Sequence, residues 1–425
     1  MAAIPVQQWT QASGAKVYLV ESPAIAMVDV QLDFDAGSRR VAVGQTGLAG
    51  ATAAMFSKGV AARGAAPSLD ENALGEAWAD LGAAFTASAG SDRFSFSLRS
   101  LTEPELLAQA VALAARQIAE PSFPSAVWQR DRQRLQAQLK ESYTRPGSVA
   151  SREFAKAVYG GHPYGHEVTP ASLERIGVAD MRAFHAAHIT RCNTRVSIVG
   201  AVTRAQAETL VSGLLARLPA TDCAAATALP PVTEVPPLEA ARELRIPFDS
   251  AQAHVLMGQP GFKRNDPDFF AITVGNYILG GGGFVSRLTE EVREKRGLSY
   301  SVYSGFSPGR HAGAFTVGLQ TRPDQAAQAT EVARQVIAKF VAEGPTAAEL
   351  KAAKDNLIGG FALMIDSNRK LLGNLSNIAW NDLPLDYLDT WTAQIAKVSA
   401  DHVKAAFARK LQPEKMVTVT VGATP

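Results

Sequence analysis

The seven histidines and two cysteines of this 425-residue chain are the side chains best suited to bind a metal or attack a carbonyl, and their spacing restricts what they can do. His162 and His166 in GGHPYGHE stand at i,i+4, the separation of a helical metal clamp, but the surrounding glycine and proline place them in a loop. No second ligand cluster follows, so structural or surface histidines are expected there. His185 and His188 fall at i,i+3 on a helical stretch with no carboxylate or cysteine pattern to complete a site, and read as ordinary helix histidines. The glycine run Gly280–Gly283 is followed by Phe284, Val285 and Ser286, not by lysine and a hydroxyl residue, which argues against a phosphate cradle. It reads instead as a turn before a helix, where missing side chains let a peptide backbone come close. Cys192 and Cys223 make neither a CxxC pair nor a disulfide framework, and two buried thiols are expected in preference to one bridge. No local Ser/His/Asp or Cys/His signature is present.

The scaffold that must position any site reads as a duplication. FSFSLRSLTEPELLAQAVALAARQI (Phe94 to Ile118) and AFTVGLQTRPDQAAQATEVARQVI (Ala314 to Ile337) are each an alternating strand, a polar turn and a helix with apolar residues three and four apart. The halves also close alike. VADMRAFHAAHI leads into the strand TRVSIVG, and SADHVKAAFARKL leads into MVTVTVG. Between them, Leu218 to Ala240 carries the pairs Pro230–Pro231 and Pro236–Pro237, which remove the donors that a helix or central strand needs. The expected organisation is a domain over 1–217, a proline-rich linker over 218–240 and a second domain over 241–425. Period-two strands such as AMVDVQLDF favour a mostly antiparallel sheet in each domain, with helices on one face, so the class is α+β.

Composition excludes several functions. Hydrophobic residues make up 47% and charged residues 19%, as in a soluble protein with substantial cores, and the net charge of +2 marks no nucleic-acid or anionic-membrane partner. No run of about 18 apolar residues suggests a membrane span. The opening MAAIPVQQW lacks the charged and apolar regions of a signal peptide.

GLAGATAAMFSKG, from Gly47 to Gly59, resembles the zinc-binding helix of the pitrilysin/insulinase (inverzincin) family, written roughly GLAHFLEHMLFKG with its HxxEH signature. Gly47, Leu48, Ala49, Met55, Lys58 and Gly59 keep the frame, but the two histidine positions fall on Gly50 and Ala54 and the glutamate position on Ala53. The family's third ligand, a glutamate on a later helix, aligns near Asp131 in WQRDRQRLQAQL. Zinc needs imidazole, thiolate or carboxylate donors and its water needs a base, so a lone, shorter carboxylate does not hold a metal. No metal is therefore expected in this chain. HPYG, His162 to Gly165, is also common in the family's first domain.

In the second half, GGGGFVSRLTEEVREKRGLSYSVYSGF resembles the family segment that carries an arginine and a tyrosine seven residues apart, here Arg293 and Tyr300. Arg296 and Tyr303 are the nearest alternative pair. A permanently charged guanidinium and a phenol suit a role beside a developing oxyanion. The resemblance implies two tandem homologous α+β domains in a clam-shell like that of mitochondrial processing peptidase. It implies catalytic roles for Arg293 and Tyr300 in trans, with Gly281, Gly282, Gly283 and Phe284 against the peptide. The implied role is the zinc-less subunit of a two-chain peptidase, inactive alone, with an HxxEH-bearing partner that holds the zinc. A silent scaffold or peptide-binding protein of the same fold is the alternative, and a homodimer of the isolated chain is compatible with either. Bacterial relatives of this kind point to the periplasm, with the cytoplasm as the other choice.

Overall fold

The computed structural model describes residues 2–424, apart from the side chain of Phe284, and its chain divides into two compact units. One gathers Met1–Ala137, Val168–Val232 and Ala362–Asp389, and the other Gln138–Glu167, Thr233–Phe361 and Thr390–Pro425. The units therefore do not follow the linear halves 1–217 and 241–425. A segment of each half belongs to the unit built mainly by the other, and the stretch 218–240, which forms no helix or strand, is divided at Val232/Thr233.

The first unit contains strands β1 (Gln7–Thr10), β2 (Lys16–Glu21), β3 (Met27–Phe34), β4 (Gly59–Val60), β5 (Leu69–Asp70), β6 (Ala84–Ala89), β7 (Phe94–Leu101) and β8 (Thr194–Gly200). β4 and β5 form a separate two-stranded sheet, and Val60 of β4 also bridges to Pro121. The others form one sheet in the order β1-β2-β8-β3-β7-β6, antiparallel except where β2 runs beside β8. Alternation along β3 sends Val28, Val30, Leu32 and Phe34 to one face, all fully buried. There Phe56 lies edge-on to Phe94, Phe96 and Phe123, at ring distances of 5.6, 4.9 and 5.7 Å. The helices Pro104–Ala119 and Val178–His188 belong to this side, the second through Phe184, whose ring is 6.5 Å from Phe94.

The opposite face of β3 carries Asp29, Gln31 and Asp33, and helices on one face only, as the sequence leads one to expect, would leave it uncovered. Instead the helix Asn368–Asn381 covers it, a segment drawn from the second half of the chain. Arg93 donates to Asn377 Oδ1 at 2.8 Å, and its guanidinium lies 5.5 Å from the Trp380 ring. Arg195 donates to the carbonyl of Ala379 and lies 2.8 Å from Asp382. Asp33, fully buried, accepts from Ser95 at 2.6 Å. The polar pattern that looks like a wet face is thus a set of paired groups beneath a helix.

The second unit repeats the plan with β9 (Arg242–Ile246), β10 (Ala253–Phe262), β11 (Ser301–Phe306), β12 (Gly313–Thr321) and β13 (Val417–Val421), ordered β11-β12-β10-β13-β9. Only β9 and β13 run parallel. One face lies under helices Ala326–Glu343 and Ala400–Lys410, where Phe340 and Phe407 meet edge to face at 4.9 Å. The other receives the helix Pro146–Tyr159 from the first half of the chain. Ala150, Phe154 and Val158, four residues apart, pack against Ala314, Val417, Val419 and Val421. The Ala314 N–H donates to Tyr159 Oη at 2.8 Å.

The expectation of two free thiols is corrected. Cys192 and Cys223 are joined in a disulfide with Cα atoms 5.4 Å apart. After Leu218 the chain turns back to the N-terminal turn around Gly14, whose φ of 93° is open to glycine and where a Cβ would overlap Cys223 Sγ. That return path is a tertiary feature, invisible in a spacing of 31 residues. A loop of this length gives a chain-entropy contribution of about 3–4 kcal/mol. Cys223→Ser is expected to lower the urea unfolding free energy by about that amount, and an unchanged midpoint would show that the linker's path is held without the bond.

Candidate functional site

In the first unit the family-aligned metal positions lie on the helix Leu48–Met55, which Gly47 enters with a left-handed φ of 102°. Gly50 and Ala54 are exposed and Ala53 is buried, and a Cβ added at Gly50 meets no atom within 4 Å. None of the three side chains carries a donor atom. Asp131, on the helix Ser125–Ser142, is buried, and its carboxylate already has cationic partners. It lies 3.0 Å from Arg130 and 3.7 Å from both Lys58 and Arg134.

Glu71 joins this network at 2.8 Å from Lys58 and 3.1 Å from Arg130, and the hydrogen bond from Lys58 holds its carboxyl below the usual range. Among the described residues no group of three or more His, Cys, Asp or Glu gathers as metal ligands. The residues present do not fit zinc: two carboxylates, Asp131 and Glu71, already matched by ammonium and guanidinium groups, offer neither the ligand number nor the free lone pairs. Sequence reading found Asp131 but missed Lys58, Glu71, Arg130 and Arg134 as its surroundings. Lys58 was visible as part of the family frame.

In the second unit Arg293 closes a π-helical turn, Thr289–Glu294. Its carbonyl accepts from the Gly297 N–H at 2.7 Å, with Gly297 in the left-handed region at φ 62°. The chain then reverses into β11 just after Tyr300, whose N–H points to Gln320 O at 3.4 Å. The Arg293 side chain is 40% exposed and lies 3.6 Å from Glu294, and Tyr300 is 66% exposed.

The alternative pair is tied down. Arg296 donates to the carbonyl of Glu291 at 2.8 Å and to its carboxylate at 2.7 Å. The Tyr303 ring covers Gly318 on the adjacent strand, where a Cβ would sit 2.5 Å from it. A partly exposed guanidinium and a largely exposed phenol on one reversal of the chain are groups of the types that donate to an anionic oxygen.

The glycines divide. A Cβ at Gly281 would lie 2.7 Å from Asn276 Nδ2 and one at Gly282 2.6 Å from Tyr277 O, so the turn's own packing requires both. Gly283, at φ 60°, has open space around it. The side chain of Phe284 lies outside the described residues.

The motif histidines are structural. His162 is buried, accepts the Tyr164 N–H at Nδ1 (3.1 Å) and donates from Nε2 to Thr233 O (2.8 Å). His166 Nε2 donates to Gly161 O at 3.2 Å. His311, 5.0 Å from the His162 ring, lies 3.2 Å from Glu234. Burial alone would raise the Glu234 pKa, but hydrogen bonds from Ala312 N–H, Lys263, Val235 N–H and His311 outweigh it and hold the group at about 2. In the first unit His185 donates to Ile118 O at 2.6 Å and His188 to Phe184 O at 3.1 Å.

Burial lowers the pKa of His162, His185 and His188 below 6.5. Histidines held neutral bind fewer protons folded than unfolded, so acid favours the unfolded chain. Stability is expected to be level above neutrality and to fall as pH drops from about 6.5 toward the lowered folded values. Urea midpoints at pH 7.5 and 5.5 check this, and a higher midpoint at 5.5 would contradict it.

Two α+β units with exchanged helices, one bearing a metal-helix frame stripped of donors, define a zinc-less member of a metallopeptidase fold. The peptidase M16 inactive-domain model matches residues 175–357. A crystal structure of a peptidase M16 inactive domain from Pseudomonas fluorescens is 36% identical, covering 99% of this chain and 98% of that one, with a TM-score of 0.92. An uncharacterized zinc protease of Streptomyces coelicolor is 31% identical over 265 residues, 61% of this chain and 57% of its own length. The non-peptidase homolog YmxG of Helicobacter pylori is 35% identical over 160 residues, 36% of each chain. The chain belongs to the peptidase M16 family, as a member without catalytic metal machinery of its own.

Proposed function

We propose that this chain completes a peptidase site whose zinc is carried by a second, homologous chain bearing HxxEH. The observation that carries the reading is a contrast within one molecule. The positions aligned with the family's metal ligands and base are Gly50, Ala53 and Ala54, which carry no donor atoms, while the aligned arginine and tyrosine are retained as Arg293 and Tyr300, 40% and 66% exposed. In this role the guanidinium and phenol bind the carbonyl oxygen of an extended peptide as it gains negative charge. The chain alone hydrolyses nothing. Co-expression with an HxxEH homologue and affinity capture is expected to yield an equimolar complex, and failure of the two chains to co-purify would refute the pairing.

A second reading, a silent scaffold or peptide-binding subunit, draws on the similarity to a relative named as a non-peptidase. It shares the complex but predicts turnover indifferent to Arg293. The Cys192–Cys223 bridge supports export to an oxidising compartment, the periplasm in a bacterium.

A further inference from the structure

The last strand of the second unit's sheet, β9, has the sequence Arg242-Glu243-Leu244-Arg245-Ile246, with the first two residues and Arg245 exposed. Its inner edge pairs with β13, where the Gly422 N–H donates to Ile246 O at 3.1 Å. Alternation then turns the main-chain groups of Arg242, Leu244 and Ile246 toward β13, and those of Glu243 and Arg245 outward. Leu244 and Ile246 pack on the apolar cluster around Phe154, on one face. Glu243 lies on the other, paired with Arg334 beside a cleft of about 510 Å³ that Arg245 also lines.

We propose that β9 is a self-complementary edge through which two copies of this chain join their sheets. In an antiparallel approach about a twofold axis at Leu244, Glu243 stands opposite Arg245 of the second copy, and Arg245 opposite its Glu243. These are the residues whose N–H and C=O groups point outward, so the register that opposes the charges also forms four main-chain hydrogen bonds. Sliding by two residues in either direction sets Glu243 against Glu243 or Arg245 against Arg245, and both are repulsive. Charge thus selects one register, whereas edge charges in general serve to discourage pairing. Five residues a side form less than a standard interface, so the dimer is expected to be weak, with a Kd on the order of 10 μM.

Sedimentation velocity of the full chain over a concentration series tests this. Arg245→Glu places like charges opposite and is expected to raise Kd by about tenfold or more. Arg245→Pro removes an outward N–H without touching the β13 ladder, and is expected to do the same. The exchange E243R/R245E restores opposite charges and is expected to return Kd to within about threefold of the original. Thermal unfolding of each variant separates loss of pairing from loss of fold. A native chain that stays monomeric at 200 μM (about twentyfold above the expected Kd), or association unmoved by Arg245→Glu and Arg245→Pro, would overturn the proposal. A folded double variant as weak as the single one would overturn the register.

Discussion

Arg293→Ala, made in a complex of this chain with an HxxEH homologue, is expected to lower kcat for peptide hydrolysis by about 10²–10³-fold. The loss should fall on kcat and kcat/KM alike, because a donor aimed at a developing oxyanion acts in the transition state more than in the ground state. Tyr300→Phe removes one hydroxyl and is expected to cost less, about 10–10²-fold. Arg296→Ala is the control. Its guanidinium is occupied by Glu291, so its loss should leave kcat within about threefold. Arg293 and Tyr300 are both largely outside the core, so their loss should not unfold the chain, and the variants report on chemistry. Equal, small effects at Arg293 and Arg296 would remove the catalytic assignment and favour the scaffold.

A fragment ending at Val232, expressed alone, is expected to show no cooperative unfolding transition and to bind a hydrophobic dye. It holds all of β1–β8 but lacks the helix Asn368–Asn381. Leu371, Leu372, Leu375, Ile378 and Trp380 of that helix are buried, and Asp33, Ser197 and Arg195 lose their cover or partners with it. Five large apolar side chains at about 1.5–3 kcal/mol each are comparable to the whole stability of an ordinary domain, about 5–15 kcal/mol. Adding a peptide of residues 362–389 should restore a cooperative transition. If the fragment folds alone, the exchanged helix is an ornament on a self-sufficient sheet.

Much of this organisation was legible in the sequence because each half repeats strand, turn and helix. The strands at Phe94–Leu101, Gly313–Thr321 and Thr194–Gly200 lie where alternation placed them. The exchange of helices was not legible. Pro146–Tyr159 is an ordinary amphipathic helix, and nothing in its spacing says whether Phe154 meets a neighbouring strand or Val419. The burial of Asp29 and Asp33 on alternate positions of β3 was likewise not legible, because the partners that make it tolerable, Arg99 and Ser95 on β7 and Arg93 just before it, come from a distant stretch of chain.

At the site, the absence of donor atoms at Gly50, Ala53 and Ala54, the positions aligned with the family's ligands, could be read directly, since glycine and alanine are incapable of ligation wherever they sit. The environment of Asp131 could not, because Lys58, Glu71 and Arg130 reach it from separate stretches of chain. The disulfide was missed for the same reason.

The most direct measurement is zinc content and peptide turnover of this chain alone, of an HxxEH homologue alone and of their equimolar mixture. This chain alone is expected to show no zinc and no turnover, and the mixture a turnover at least tenfold above the homologue's own (about 1.4 kcal/mol of barrier). Zinc bound by this chain alone, or a mixture no faster than the homologue, would contradict the proposed role.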